Sequence, residues 1–525
     1  MLIQCQGFMN KLFLIFLLLF IVPEIFAASS EGIRNHNLLT FKQIDVEGTW
    51  LQTGNVAGLT QMPLFFPSEI KMNYGQTDGS FHSIFNGKSS QEYEFSSRGF
   101  RKSNHTFLYG SFGYSRSLEK GVNYTDTNDP AQNYPYLLAD TIGNDAYNRE
   151  FFNLSGMVAG HLNSKIDWGL GLNYQVGNAV QNRDPRPENK VMKMNIAPGL
   201  LMKVNKLKIG ANLVYAYYNE DIDVSVVEQG VQQTMFQLDG LGIYQYHSSS
   251  SFYRLYRQQQ VGGGLQIELE QNRISNLLHS NYSYFQQVID DGRRGSIATW
   301  AAVKNDSKFD GINWDLSDVF SVKQGRKLHQ LSAIFHLTNK LGTEFIQRLE
   351  EVGTAGMEQW KTYGEMRKYY SLETLSALGY KLASKDENNM LKTLFCAGLD
   401  YGTFDEKYYS PNLEESYSNF DIKASFLKLY EIGSGQISGE IKFRYQFNID
   451  RKQNLDAENF IVQKIFLPEY AYLTTEFISP GMSISYQFPI TKTLGRYFVK
   501  ADFDWFRAEK SMSRTVFNFS TGVIF

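Results

Sequence analysis

Polar and apolar residues take turns along most of this chain, and they do so for longer than a soluble sheet requires. Trp168, Leu170, Leu172, Tyr174 and Val176 interleave with Gly169, Gly171, Asn173 and Gln175. Ile209, Ala211, Leu213, Tyr215 and Tyr217 interleave with Lys208, Gly210 and Asn212. Val261, Gly263, Leu265, Ile267 and Leu269 do the same with Gln260, Gly262, Gln266, Glu268 and Glu270. The clearest run sets Ile437, Ile441, Phe443, Tyr445, Phe447 and Ile449 against Gln436, Ser438, Glu440, Lys442, Arg444, Gln446 and Asn448. Near the end, Tyr497, Val499, Ala501, Phe503 and Trp505 oppose Lys500, Asp502 and Asp504. A period of two places one set on each face of a strand. Strands of soluble sheets run to about 5–6 residues, whereas a tilted strand that crosses a bilayer needs about 9–11. These runs therefore predict membrane-crossing strands, apolar on one face and wet on the other.

The links between runs carry a second signal. Short polar connections fall at Lys102-Ser103-Asn104, Asn163-Ser164-Lys165, Asn205-Lys206, Asn272-Arg273, Gln324-Gly325-Arg326, Asp386 to Asn389, Ser434-Gly435 and Thr491-Lys492-Thr493. Between them lie longer segments, near 79–90, 117–149, 178–190, 220–257, 289–308, 340–362, 405–417, 450–478 and 508–513. Alternating short turns and long loops is the asymmetry of transmembrane barrels. The links predict an all-β, antiparallel up-and-down transmembrane β-barrel of about eighteen strands, within a range of roughly 14 to 18. Pro198 is the weak point, because a proline removes a ladder donor. An open edge in hydrocarbon leaves backbone groups unpaired at several kcal/mol each. Closure thus predicts that Phe517–Phe525 pairs near Glu69–Gly75.

Composition agrees with this picture. Tyr (32), Phe (39) and Gly (43) are abundant and Pro (12) is scarce, which suits long strands. A mean hydropathy of −0.33 does not argue against a barrel, since the wet faces cancel the apolar ones. A net charge of −3 gives no basic footprint for a nucleic-acid partner. Lys11 precedes an apolar run from Leu12 to Val22 and then Pro-Glu-Ile-Phe-Ala-Ala, which is the form of a secretory signal peptide. The expected division is residues 1–28 as signal peptide, 29–67 as a periplasmic lead-in or small plug, and 68–525 as the barrel. With Cys5 in the leader only Cys396 remains, so no intrachain disulfide is expected.

The closing stretch, Arg514-Thr-Val-Phe-Asn-Phe-Ser-Thr-Gly-Val-Ile-Phe525, resembles the terminal strand of bacterial outer-membrane β-barrels. That likeness implies an assembly signal in Phe517, Phe519 and Phe525, read by the barrel-assembly machinery, and residence in the outer membrane among its lipids. Most of the mature length resembles single-chain barrels that carry unknown-function family labels. Gly54-Asn55-Val56-Ala57-Gly58-Leu59 resembles the Asn-Pro-Ala stretch in the hatch of fatty-acid-transporting barrels, with Val56 in place of the proline. TonB-dependent receptors, with about 22 strands and a large plug domain, are disfavoured by the strand count and by the short stretch between the expected signal peptide and Glu69.

Charges on the inward parity would line any passage. Glu268, Glu270, Glu440, Lys442, Arg444, Lys500, Asp502 and Asp504 are the candidates, with Lys193, Lys208 and His161 on the same parity. They form either a constriction whose field orients solutes or ion pairs that merely satisfy a solvated wall. Aromatic clusters at Tyr124, Tyr134, Tyr136 and Tyr147, and from Tyr244 to Tyr256, are either loop packing or ligand contacts. His247 beside Ser248–Ser251 is the only His–Ser concentration, and no orienting third group accompanies it. No catalytic set, metal cluster, phosphate loop or cofactor motif is expected. The sequence thus predicts a channel or transporter for small polar or amphipathic solutes. The alternative is a non-conducting structural or partner-binding component of an outer-membrane secretion or uptake complex, with other outer-membrane or periplasmic proteins as partners.

Overall fold

The computed structural model describes residues 37–63, 66–140, 143–228, 230, 232–249, 251–292, 304–352, 357–491 and 495–525. The expected signal peptide lies outside these residues. Eighteen strands form one closed antiparallel sheet, joined in chain order around the ring. They are β1 (Ser68–Gly79), β2 (Ser89–Ser103), β3 (Thr106–Asn123), β5 (Gly143–His161), β6 (Ile166–Gln181), β7 (Arg186–Val204), β8 (Leu207–Ser225), β11 (Ser251–Gln271) and β12 (Ile274–Gly292). The ring continues through β13 (Lys304–Gln324), β14 (Lys327–Val352), β15 (Met357–Lys385), β16 (Leu391–Tyr408), β17 (Leu413–Ile432), β18 (Gly435–Asn454), β19 (Phe477–Thr491), β20 (Gly495–Ala508) and β21 (Ser513–Ile524). A separate three-stranded sheet is built by β4 (Leu137–Asp140), β9 (Gln233–Gly240) and β10 (Ile243–Ser249), which lie in connections of the barrel.

The seam closes as expected. Glu69 pairs with Ile524, Gly75 with Asn518 and Gln76 with Phe517, and Ser68 and Phe525 exchange backbone hydrogen bonds of 2.7 and 2.9 Å. Seven short turns join the strands at one end among the described residues, and the expected turn at Thr491-Lys492-Thr493 lies largely outside them. In five of them the first turn residue has positive φ: Asn104, Asn205, Asn272, Gly325 and Gly433. Asn and Gly enter that region at the least cost, so these residues fix the hairpin registers. Apolar residues of one parity form the outer belt, with Leu213 and Leu265 each 66% exposed and Ile441 69%. Pro198 is accommodated by a local gap. It pairs with Leu170 on β6, while the β7–β8 ladder skips from Ile196 to Gly199.

Several expected loops prove to be strand. The segment 340–362 was expected as a long loop, yet β14 runs to Val352 and β15 begins at Met357. Likewise 178–190 and 405–417 shrink to connections of four residues between the flanking strands. Neighbouring backbones go on pairing after the apolar belt ends, because polar side chains lose nothing by standing on a sheet in water.

Candidate functional site

Residues 37–63 run as a helix, α1 (Leu39–Glu47), followed by two 3₁₀ turns, Thr49–Thr53 and Val56–Gln61. Their partners lie on all sides of the ring. The Leu38 N–H donates to Gln487 on β19, Lys42 to Glu440 on β18 at 2.7 Å, and Lys385 on β15 to Glu47 at 2.8 Å. Gln330 on β14 donates to the Val46 carbonyl, and Asn281 on β12 to that of Thr53. Trp50 donates to Glu268 on β11 at 2.7 Å, and Thr60 to Asp167 on β6. Only a segment inside the ring can reach strands on opposite sides of it. All these partners lie toward the end of the short turns.

Two kinds of seat hold the segment. Leu39 and Val46 of α1 pack on Leu328, Ala383, Leu391, Leu394, Leu427 and Leu429, with Cys396 alongside. The second 3₁₀ turn instead lies in a cradle of glycines. A Cβ on Gly169, Gly199 or Gly210 would overlap Ala57, the Asn55 carboxamide or Trp50, respectively, and one on Gly171 would stand 2.8 Å from Cγ2 of Val56. Asn55 caps the turn by accepting from the Ala57 N–H. Its Nδ2 donates to the Leu200 carbonyl at 2.9 Å and to Oε1 of Gln266 at 2.8 Å. The inward glycines of the alternating pattern are therefore space for a second piece of chain.

The opposite end is narrowed by folded connections. In the β3–β5 connection a short helix, α2 (Pro130–Asn133), heads an arm that spans the lumen. On one side, Asn133 and the Asn128 N–H donate to the fully buried Glu220, and Gln287 donates to Asn133. On the other, the Tyr134 and Tyr369 hydroxyls donate to Glu406 at 2.8 and 2.7 Å, and Lys340 donates to the Tyr134 carbonyl at 3.2 Å. Leu137, Ala139, Phe236 and Leu238 of the small sheet pack on Ile461, Ile465 and Phe466 ahead of α3 (Leu467–Leu473). Arg254, with 0% exposure, holds Asp291 through two 2.6 Å contacts, and Gln237 of β9 donates to the same carboxylate. Glu469 accepts from the Ser83 hydroxyl and the Ile84 N–H. Burial pushes the Glu469 carboxyl above its ordinary value, partly offset by those two donors. Between arm and wall lies a cavity of about 420 Å³, lined among others by Lys340, Glu373, Glu406, Glu415, Tyr417 and Glu469.

The charged residues singled out in the sequence all fall on the inner parity, and ion pairs engage them. Lys208 donates to both Glu268 and Glu270, at 2.9 and 3.0 Å. Glu440 holds Lys42, Lys442 meets Asp504 at 3.1 Å, and Lys500 meets Asp502 at 2.8 Å. Arg444 pairs with Asp421, His161 with Asp167, and Lys193 with Asp129. Phe517 and Phe519 face outward, 39% and 41% exposed. Tyr136, Tyr147 and Tyr256 are fully buried in packing. His247 contacts Gln237 through Nε2 and stacks on Phe252. Trp50, Glu220, Arg254, Lys340 and Glu406 were not identified from sequence, because each acquires its role from a partner far away in the chain.

A closed ring of eighteen strands with an apolar exterior and a polar, occupied lumen defines an outer-membrane β-barrel. The chain belongs to the family described as "Family of unknown function (DUF6850)", whose sequence model matches residues 56–525. No curated protein matches the sequence. Among solved structures, the copper transporter OprC is 9% identical, with 87% of this chain and 81% of that chain covered and a TM-score of 0.43. The RagAB peptide transporter is 8% identical, with 84% and 72% covered and a TM-score of 0.43. The outer membrane transporter YddB from Escherichia coli is 9% identical, with 87% and 81% covered and a TM-score of 0.42. Neither the family match nor these structures support the resemblance to fatty-acid-transporting barrels.

Proposed function

We propose that this protein is an outer-membrane channel or transporter for small polar or amphipathic solutes, with residues 37–63 as its plug. The observation that carries the reading is the glycine cradle on β6, β7 and β8. The wall gives up side chains where the second turn sits, and holds the segment there by hydrogen bonds such as Asn55 to Gln266, with the ion pair of Lys42 and Glu440 further along. In this reading the inward charges Glu268, Glu270, Glu440, Lys442, Arg444, Lys500, Asp502 and Asp504 line the passage once the plug moves. Phe517, Phe519 and Phe525 address the chain to the barrel-assembly machinery, and the outer belt meets the lipid.

The test is conductance in a planar bilayer. A variant lacking residues 37–63 is expected to show discrete, stable conductance well above that of the full chain. Silence from that variant, correctly folded, would overturn the reading.

One observation favours the alternative, a partner-binding component. The β14–β15 hairpin continues well past its neighbours. The β13 pairing stops at Glu344 and the β16 pairing begins at Tyr369, leaving both hairpin edges without a strand partner among the described residues. Loss of a co-purifying protein on trimming 345–366, with conductance absent throughout, would favour that role.

A further inference from the structure

Below the arm, the lumen wall changes character. At one height on β5, β6, β7 and β11 the inward positions are Asn153, Asn173, Gln175, Asn195, Gln258 and Gln260, around a cavity of about 300 Å³. The register sets them side by side. Asn153 pairs with Gln175, and Asn173 with Asn195. Asn195 pairs with Ala216, which in turn pairs with Gln260. Adjacent strands lie about 4.8 Å apart, so the carboxamides form a continuous patch across five strands, with Ala216 leaving room in the middle. Gln132 of α2 roofs it by donating to Gln258 at 2.8 Å. Among the described residues, no hydrogen-bond partner is found for the carboxamides of Asn153, Asn173, Gln175 and Asn195.

The charge balance decides what fits. The two ionised groups beside the patch, Lys193 and Asp129, pair with each other at 2.8 Å, so the surface is neutral. An ion bound there gives up hydration without gaining a counter-charge, and a peptide carries ionised ends that meet the same cost. An apolar ligand would cover these amides and leave them unsatisfied. Each carboxamide offers two N–H donors and an acceptor oxygen, so the matching ligand both donates and accepts along its whole surface, as hydroxyls do. We infer that this patch is a binding subsite for an uncharged polyhydroxylated solute, a small saccharide. The inference rests on the transport reading above and narrows its substrate class. Gln132, which touches the patch from above, links occupancy of the subsite to the position of the arm.

The experiment is equilibrium dialysis of radiolabelled glucose, sucrose and raffinose against the full chain in dimethylamine-oxide micelles, which carry no sugar headgroup to compete. At least one sugar binds saturably, and glutamate and spermidine bind at least tenfold more weakly. Asn173→Ala with Asn195→Ala weakens the sugar at least tenfold. Asn195→Asp, which keeps the shape and adds a charge, does the same and covers the case in which the double variant folds poorly. Lys423→Ala, on the opposite side of the ring, leaves binding unchanged. If the folded wild type binds none of the three sugars, or binds them equally well in both patch variants, or prefers a charged probe, the inference is overturned. Potassium chloride conductance of the variant lacking 37–63 separates the two failures: conductance without sugar binding removes the saccharide and leaves the channel, while silence removes the channel itself.

Discussion

The carboxamide Nδ2 of Asn55 donates to Oε1 of Gln266 over 2.8 Å, and it fits there because Gly199 and Gly210 have no Cβ. Gly199→Val fills that space with branched carbon next to the Asn55 carboxamide. The strand itself tolerates valine, whose propensity for sheets is high, so the ring stays closed while the 3₁₀ turn loses its seat. The expected outcome is a folded barrel, still heat-modifiable on gels, with amide exchange over residues 49–61 faster by at least tenfold and with raised bilayer conductance. Unchanged exchange would show that the cradle does not hold the segment.

Asp239, 2% exposed on β9, gives the outer assembly a pH dependence. Burial pushes its carboxyl well up, and Asp306, Glu344 and Asp291 push it further, while Arg254 pulls it down. A raised acid contributes stability that is fully present below its ordinary value of about 3.9 and is lost as pH rises through its folded value. The contribution of Asp239 to the small sheet is therefore greatest below about pH 3.9 and declines as pH rises from there. Exchange protection over 233–249, corrected for intrinsic rates, should fall as pH rises. Asp239→Asn should flatten that profile. A profile that rises with pH in the wild type would contradict this account.

Lys442 and Arg444 face Asp504 and Asp421. Changing either to Glu moves two units of charge from positive to negative at one point of the wall. In the variant lacking 37–63, the reversal potential across a potassium chloride gradient should shift toward cation preference, by severalfold in permeability ratio. An unmoved potential means that these residues do not line the conducting path.

At the seam, Phe525 keeps its backbone bonds to Ser68 whatever its side chain. Phe525→Ala should thus change the stability of the finished barrel little, while surface levels in cells fall severalfold because insertion is impaired. Normal surface levels would remove the role assigned to the terminal aromatic residue.

Much of the fold was legible from the chain. The described short turns lie where polar residues interrupt alternation, and five of them hold Asn or Gly at a left-handed position that few other residues accept. The pairing of Phe517–Phe525 with the region from Glu69 followed from the cost of an open edge. Loop lengths were less legible. From Thr343 to Val352 and from Met357 to Arg367, paired backbone stands in water, and there no apolar requirement marks where the strand ends. The inner faces were read correctly as polar. Their partners were not readable, since Lys42 and Glu440 are 398 residues apart and Trp50 and Glu268 are 218 apart.

The sequence by itself determined that strands cross a membrane and close on themselves, because lipid outside and water inside impose a period of two that every strand must obey. Only the tertiary structure decided what fills the interior. Gly169, Gly171, Gly199 and Gly210 read as ordinary small residues in three runs of the chain, and become one seat when hydrogen bonding brings β6, β7 and β8 together. A periodic solvent writes a periodic signal, whereas complementarity between a wall and the segment it holds leaves no repeat in either.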